Sequence, residues 1–126
     1  MASVHESTRS DPSLGMKLAA FSDALVKLHK DVCGRGPTNA RCFTSGNAVV
    51  CLLFGGLTHG EQTLVARGDE EAVLQQRRSL HRVMEGPARD MAEEQFGRRV
   101  VAMTLATDPA NGLETAVFVL DAPPEL

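Results

Sequence analysis

The chain has 126 residues, with 13 basic and 16 acidic side chains and a formal net charge of −3. This length is typical of one domain, and 43% hydrophobic with 23% charged residues is an ordinary globular composition. The weak acidity and the lack of Trp and Tyr argue against binding to nucleic acid, which depends on basic charge and aromatic stacking. No apolar run is long enough to cross a bilayer, so we expect no direct membrane insertion.

The two ends of the chain are predicted to lie outside the folded domain. Residues 1–14 are polar and irregular, which predicts a disordered leader, and they lack the basic start and apolar segment of a signal peptide. Residues 121–126 contain two consecutive prolines and are predicted to form a loose tail. A single domain is therefore expected over residues 15–120.

The first predicted element is an amphipathic helix from about residue 14 to residue 32. Gly34 follows it as a C-terminal cap, and Pro37 prevents the helix from resuming. The apolar side chains that define the helix recur at steps of three and four residues: Leu18, Phe21, Leu25, Leu28 and Val32.

A β-hairpin is predicted next. Residues 38–44 alternate between the two faces of a strand, and the Ser-Gly-Asn sequence at 45–47 is typical of a turn. Residues 48–54 are continuously apolar and rich in β-branched side chains. This run predicts a central strand that is covered on both faces.

Two helices are expected after the hairpin. Thr58 and Glu61 have the spacing of a capping box and predict the start of a short helix. Asp69 is placed to cap a longer one. Pro87 is predicted to kink or break that longer helix, because proline lacks a backbone donor, and the helix then ends at Gly97.

The last predicted element is a second hairpin, formed by residues 99–107 and 113–120 around a Pro- and Gly-containing turn. The order of elements is thus helix, hairpin, helix, helix, hairpin. This order predicts an α+β two-layer domain with helices on one face of a four-stranded, mainly antiparallel sheet. The edge strands of such a sheet are available for dimerisation.

Several short motifs follow one another in a fixed order. They are Lys27-Leu28-His29-Lys30, Gly34-Arg35-Gly36-Pro37, Gly55-Gly56-Leu57-Thr58 with Glu61 and Leu64, the pair Arg77 and Arg78, Gly97-Arg98-x-Val100, and Val117-Phe118-Val119-Leu120.

Over roughly residues 14–120 this ordered set resembles the MpsC family, small bacterial proteins named after a sodium-translocating, membrane-potential-generating system. Pro87 departs from the family pattern, in which the helix is expected to continue. The resemblance implies an accessory or regulatory role near ion or bicarbonate transport, and it carries no established catalytic activity with it.

The loop at residues 34–37 has two interpretations. Glycine lets backbone N–H groups approach an anion, and Lys30, Arg35 and Arg41 are placed to converge near Gly36. The same residues are also typical of a helix stop followed by a stiff turn. The sequence leaves both interpretations open.

Arg77 interrupts the apolar stripe of the long helix, between Val73, Leu80 and Met84. A guanidinium on a buried face needs a carboxylate, carbonyl oxygens or an anionic ligand, because an unpaired buried charge is costly. Glu61 is the predicted protein partner. The alternatives are a bound anion or a side chain that reaches solvent.

The three cysteines are Cys33, Cys42 and Cys51, an odd number that cannot pair completely within one chain. Cys42 and Cys51 are expected near each other across the first hairpin. Because no Cys-x-x-Cys motif and no secretory signal are present, the sequence predicts a reduced, cytoplasmic protein.

No metal or other cofactor is predicted. His29 and Cys33 lie four residues apart on the first helix, but together with the other cysteines they match no usual zinc spacing. His59 and His81 are predicted to be exposed, and no Ser–His–Asp or Cys–His arrangement stands out.

Two functional hypotheses follow. The first is a non-enzymatic cytoplasmic accessory protein that binds a partner, such as a membrane transporter, or a small anion, and acts as a homodimer. The alternative is a small domain or enzyme that binds an anionic ligand in a pocket lined by Arg35, Arg41 and Arg77.

Overall fold

The computed structural model describes residues 12–126, so most of the predicted leader lies outside the described residues. The elements are α1 (Pro12–Cys33), β1 (Asn39–Ser45), β2 (Ala48–Phe54), α2 (His59–Ala66), α3 (Glu70–Phe96), β3 (Val100–Asp108), a 3-10 turn (Pro109–Asn111) and β4 (Leu113–Leu120).

The four strands form one antiparallel sheet in the order β1-β2-β4-β3. β1 and β3 are therefore the edge strands, and the two strands with the most apolar sequences lie in the centre. The helices pack on one face of this sheet, which confirms the predicted α+β two-layer class and element order.

Phe21 lies at the centre of the core between the helices and the sheet. Its ring meets Phe96 of α3 at a centroid distance of 5.1 Å and Phe118 of β4 at 5.2 Å, both edge to face. Edge-to-face contact is a favoured geometry for aromatic rings. The buried side of α1 continues to His29. The periodicity predicted that Leu28 would lie on this side, but Leu28 is only half-buried.

The long helix α3 runs through Pro87 without interruption, so the prediction of a break there is wrong. Met84 and Ala88 on either side of the proline are fully buried, while Gly86 and Pro87 are exposed. The packing of Met84 and Ala88 therefore holds the helix on both sides of the proline. Because proline has no N–H group, the backbone carbonyl four residues earlier has no donor within the helix, and water can bind it instead.

β2 is central, as predicted, but only one of its faces is covered, so the expectation of two covered faces is wrong. Val49, Cys51 and Leu53 are buried under the helices, while the alternate residues are half-buried or exposed. We call the side of the sheet without helices the open sheet face. Its side chains form four cross-strand rows: Asn39, Phe54, Leu113 and Asp108; Arg41, Leu52, Thr115 and Ala106; Phe43, Val50, Val117 and Thr104; Ser45, Ala48, Val119 and Ala102.

Cys42 and Cys51 face each other across β1 and β2 and are joined by a disulfide, with Cα atoms 4.2 Å apart. Cys33 is free. The prediction of reduced cysteines is therefore wrong for the Cys42–Cys51 pair. The antiparallel register places the two residues directly opposite each other, with both side chains on the same side of the sheet.

Both ends differ from the predicted boundaries. α1 begins at Pro12, inside the segment predicted to be a leader. The C-terminal residues fold back on the domain, since the Glu125 N–H donates to the Phe96 carbonyl at 2.8 Å and Arg98 Nε donates to the Pro123 carbonyl at 2.6 Å.

We expect Pro87→Ala to raise the free energy of unfolding by about 1–3 kcal/mol, because alanine restores a backbone donor in the middle of α3. Gly86→Ala is the matched control, since a Cβ there meets nothing within 4 Å, and it should add about 0.5–1 kcal/mol. Urea denaturation measures both. A loss of stability in Pro87→Ala would show that packing of α3 requires the proline.

Candidate functional site

Five buried ionisable side chains meet between the helices and the sheet, and we call them the ionic cluster. They come from α1, α2, α3 and β4, so all three of these helices and one central strand of the sheet contribute. Arg77 is only 1% exposed and is the largest of the fully buried side chains. The members of the cluster are His29, Glu61, Arg77, His81 and Glu114.

Helix α2 positions Glu61 for the cluster. Thr58 Oγ1 accepts the Glu61 N–H at 3.2 Å, and Glu61 Oε1 accepts the Thr58 N–H at 2.8 Å, which confirms the predicted capping box. Asp69 caps α3 through the Ala72 N–H, also as predicted. Glu61 is the one residue of α2 that is buried, so this helix is seated on the domain mainly through a carboxylate.

Arg77 binds Glu61 through a side-on, bidentate pair. Its Nε donates to Oε2 at 2.8 Å, and its Nη2 donates to Oε1 at 2.6 Å. Nη2 also donates to the Gly56 carbonyl at 2.9 Å, and Nη1 to Cys33 Sγ at 3.3 Å. The predicted Glu61 partner is confirmed, and Arg77 does not reach out to solvent.

Glu114 is the second carboxylate of the cluster and has its own set of donors. His81 Nε2 lies 2.7 Å from its Oε2, His29 Nε2 lies 3.5 Å away, and Thr107 Oγ1 donates to Oε1. Arg77 Nη1 is 3.7 Å from Glu114 Oε1. The carboxylate of Glu114 thus connects the pair formed by Arg77 and Glu61 to both histidines.

The pairing determines the charge state of the carboxylates. Burial alone would raise the pKa of Glu114, but the hydrogen bonds from His29, His81 and Thr107 lower it to about 2. For Glu61, burial is again outweighed by the hydrogen bonds from Arg77 and Thr58, so its pKa is lowered.

Arg77 and Cys33 complete the electrostatics of the site. Burial would lower the pKa of Arg77, but Glu61 and Glu114 raise it, so the guanidinium stays charged. Burial raises the pKa of the Cys33 thiol, although Arg77 opposes this effect. Two carboxylates and one guanidinium carry a formal charge of −1, so the cation of Arg77 compensates one of the two buried anions and hydrogen bonds stabilise the other. We therefore assign to the cluster charge compensation within the core.

Three members of the cluster, His29, His81 and Glu114, were not predicted from the sequence. His81 was predicted to be exposed, which is wrong: it occupies the buried position that the stripe assigned to Leu80. His29 lies four residues after buried Leu25, a spacing that could have revealed it. Glu114 precedes the buried Ala116 of β4 by two residues and therefore lies on the same face of the strand, so the period of two was the available signal.

The structure does not bring the predicted anion-binding residues into one cavity. Arg35 borders a cavity of about 310 Å³, and Arg41 borders a different one of about 350 Å³. Arg77 and His81 border a third, of about 230 Å³. Lys30 is exposed on α1.

Gly36 is explained by close packing against α1. A Cβ at this position would lie 3.2 Å from the Lys30 Cβ and 3.5 Å from the Val26 carbonyl oxygen. The missing side chain therefore lets the loop after α1 approach the helix closely.

Two further findings concern residues 12–126. No group of three or more His, Cys, Asp or Glu side chains in this part of the chain is arranged to hold a metal ion. None of the helices described there is both long enough and apolar enough to span a membrane.

The fold and the cluster together define a small α+β domain whose helices and sheet are joined by a buried, internally paired set of charges. The chain belongs to the MpsC family: the family model described as "Na+-translocating membrane potential-generating system (MpsC)" matches residues 13–122. No curated protein and no solved structure matches the chain. Membership associates the protein with a Na+-translocating membrane potential system.

We expect Arg77→Met to lower the free energy of unfolding by about 3–5 kcal/mol, because it leaves two buried carboxylates without their cation. The double variant Arg77→Met, Glu61→Gln should recover part of this loss. Arg78→Met on the exposed side of the same helix is the matched control. Its pair with Glu71 lies at the surface, so it should cost less than about 0.5 kcal/mol. Equal losses in the two single variants would contradict a dominant role for the cluster.

Acid should destabilise the protein through Glu114. Its pKa is about 2 in the folded chain against an ordinary value of 4.5, so the unfolded chain takes up the proton first as pH falls. The stabilisation is therefore complete above about pH 4.5 and is lost towards pH 2. Glu114→Gln should be less stable at pH 7 and lose less stability between pH 6 and 3. Glu94→Gln, at an exposed position of α3, should keep the wild-type acid slope. An unchanged slope in Glu114→Gln would refute this assignment.

Proposed function

We propose that this protein is a non-enzymatic accessory or regulatory protein that serves ion or bicarbonate transport by binding a partner. Membership in the MpsC family supports the connection to transport, since the family description names a Na+-translocating, membrane potential-generating system. The partner is the membrane-embedded transporter of that system, which the chain contacts without inserting into the bilayer.

The observation that carries this proposal is that the ionic cluster is closed on itself. Arg77 directs its donors to Glu61, Gly56 and Cys33. Among residues 12–126, every buried side-chain nitrogen and oxygen has a hydrogen-bond partner. Charges that satisfy one another in this way stabilise and position the helices. The proposal therefore assigns function to surfaces of the domain, and the apolar open sheet face is one such surface.

The proposal includes a cytoplasmic location and a homodimer. The Cys42–Cys51 disulfide weighs against a strongly reducing compartment, because disulfides are rare in cytosolic proteins. Cys51 is fully buried, so an external thiolate would have to reduce the bond by attack on the sulfur of half-buried Cys42.

A second candidate function is the binding of a small anion, and the surroundings of Arg35 favour it. Within residues 12–126, Arg35 donates one hydrogen bond, from Nε to the Gly55 carbonyl at 3.2 Å, and this part of the chain leaves its terminal nitrogens for a ligand. The cavity beside it is walled by Leu57, Val65 and Pro109. A cation above apolar walls suits a small carboxylate or bicarbonate.

Thermal unfolding in bicarbonate, phosphate or a nucleotide tests the anion-binding function. Binding to the folded state raises Tm, so an authentic site should give an increase that Arg35→Gln abolishes and Arg41→Gln retains. Arg41 is a suitable control because it borders a different cavity. If no anion raises Tm, this candidate is eliminated.

Deletion of the gene from the native organism tests the transport role. Uptake of Na+ and of labelled bicarbonate, with the membrane potential followed by a dye, should fall in the deletion strain. Wild-type protein and the surface variant Arg78→Met should restore it equally. Unchanged uptake and membrane potential after deletion would overturn the proposal.

A further inference from the structure

The open sheet face is apolar across its two central strands. Of the eight outward side chains of β2 and β4, only Thr115 is polar. None of the eight is buried, and Phe54 is 37% exposed. The seven apolar ones are Ala48, Val50, Leu52, Phe54, Leu113, Val117 and Val119.

This pattern is that of a sheet with partners on both faces. Antiparallel strands with one solvated face alternate apolar and polar residues, and β2 and β4 do not. The charged members of the four rows are Arg41 and Asp108, and they lie on opposite edge strands. The face therefore has an apolar centre between a cation at one edge and an anion at the other.

We propose that a second copy of this chain covers the open sheet face, so that two sheets pack face to face about a two-fold axis parallel to the strands. The proposal deepens the homodimer part of the proposed function and rests on it. It replaces the edge strands, which the sequence suggested for dimerisation, with the face of the sheet.

Two-fold symmetry determines which residues meet. With the axis parallel to the strands, β1 of one copy lies over β3 of the other, β2 lies over β4, and each row faces the same row. Val50 then faces Val117 of the second copy. Aligned packing of this kind is common between sheets.

Charge complementarity favours this axis. It places Arg41 over Ala106 of the second copy, and Asp108 follows two residues along the same strand, about 7 Å away. An arginine side chain spans that distance. An axis across the strands would instead place each edge strand over itself and bring like charges to the same edge.

The size of the face is sufficient for a dimer. Four strands of about seven residues cover roughly 20 Å by 23 Å, or about 450 Å² per copy. A pair thus buries about 900 Å² in projection and more in accessible area, because the side chains stand up from the sheet. Specific interfaces begin near 1,000 Å². Pairing through an edge strand alone would leave the apolar centre in water.

Sedimentation equilibrium of the full chain tests the proposal. Wild-type protein should be a dimer, and Val117→Glu should weaken dimerisation by at least about 100-fold, because it buries a charge in an apolar interface. Val83→Glu introduces the same charge on α3, at a side chain that is 60% exposed on the opposite layer. This control should remain a dimer, and circular dichroism verifies that both variants fold.

A charge exchange tests the orientation and does not depend on Val117→Glu folding. Arg41→Glu and Asp108→Arg should each weaken the dimer by about tenfold, since each places like charges together. The double variant should return to near the wild-type value. Failure of the double variant to recover would overturn the axis parallel to the strands.

The remaining outcomes distinguish a failure of the proposed interface from a failure of the proposed homodimer. A monomer at about 100 μM would overturn both the homodimer and its interface. A dimer that survives Val117→Glu would overturn the interface alone. Monomers that sediment with phosphatidylglycerol vesicles, and lose this binding in Val117→Glu, would assign the face to a membrane and overturn the proposal. None of these results bears on the uptake experiment.

Discussion

The pairing of Arg77 with Glu61 is the interaction on which the arrangement of the helices depends. α3 supplies the cation and α2 the carboxylate, and both groups are nearly inaccessible to water. A buried ion pair is not a strong source of net stability compared with well-packed apolar side chains. Its value here is geometric, because a bidentate pair specifies both distance and orientation.

Glu114 extends that geometry to the sheet and to α1. Through His29, His81 and Thr107 it joins elements that are distant in sequence. The apolar core around Phe21 packs α1 and α3 against the sheet. The domain therefore combines an apolar core with a buried polar cluster whose charges must be satisfied together.

The features that could be predicted from the sequence are those that depend on contacts between residues within one or two turns of a helix. The capping box of Thr58 and Glu61 located the start of α2, since its two hydrogen bonds lie within one turn. The position of Arg77 on an apolar stripe indicated a cation that needs a partner, and Glu61, one of the alternatives left open, is that partner. These features depend only on spacing along one or two helices.

The predictions failed where tertiary context outweighed local preference. Pro87 remains in α3 because buried neighbours on both sides hold the helix. His81 was classed as polar and assigned to the surface, although a carboxylate from β4 makes its burial favourable. The apolar run of β2 indicated two covered faces, and a single chain supplies a cover for one of them. Spacing along the chain also does not encode which cavity a side chain borders, and Arg35, Arg41 and Arg77 border three different ones.

The pairing of Glu61 with Arg77 has a further consequence for the folding of helix α2. Glycines with positive φ, Gly55 and Gly68, lie before and after it, and Glu61 is its one buried side chain. The same carboxylate initiates the helix and seats it, so α2 has little reason to persist before α3 arrives. Its formation in the nascent chain should therefore await synthesis of a residue sixteen positions downstream, so that α2 and α3 take their places on the domain together.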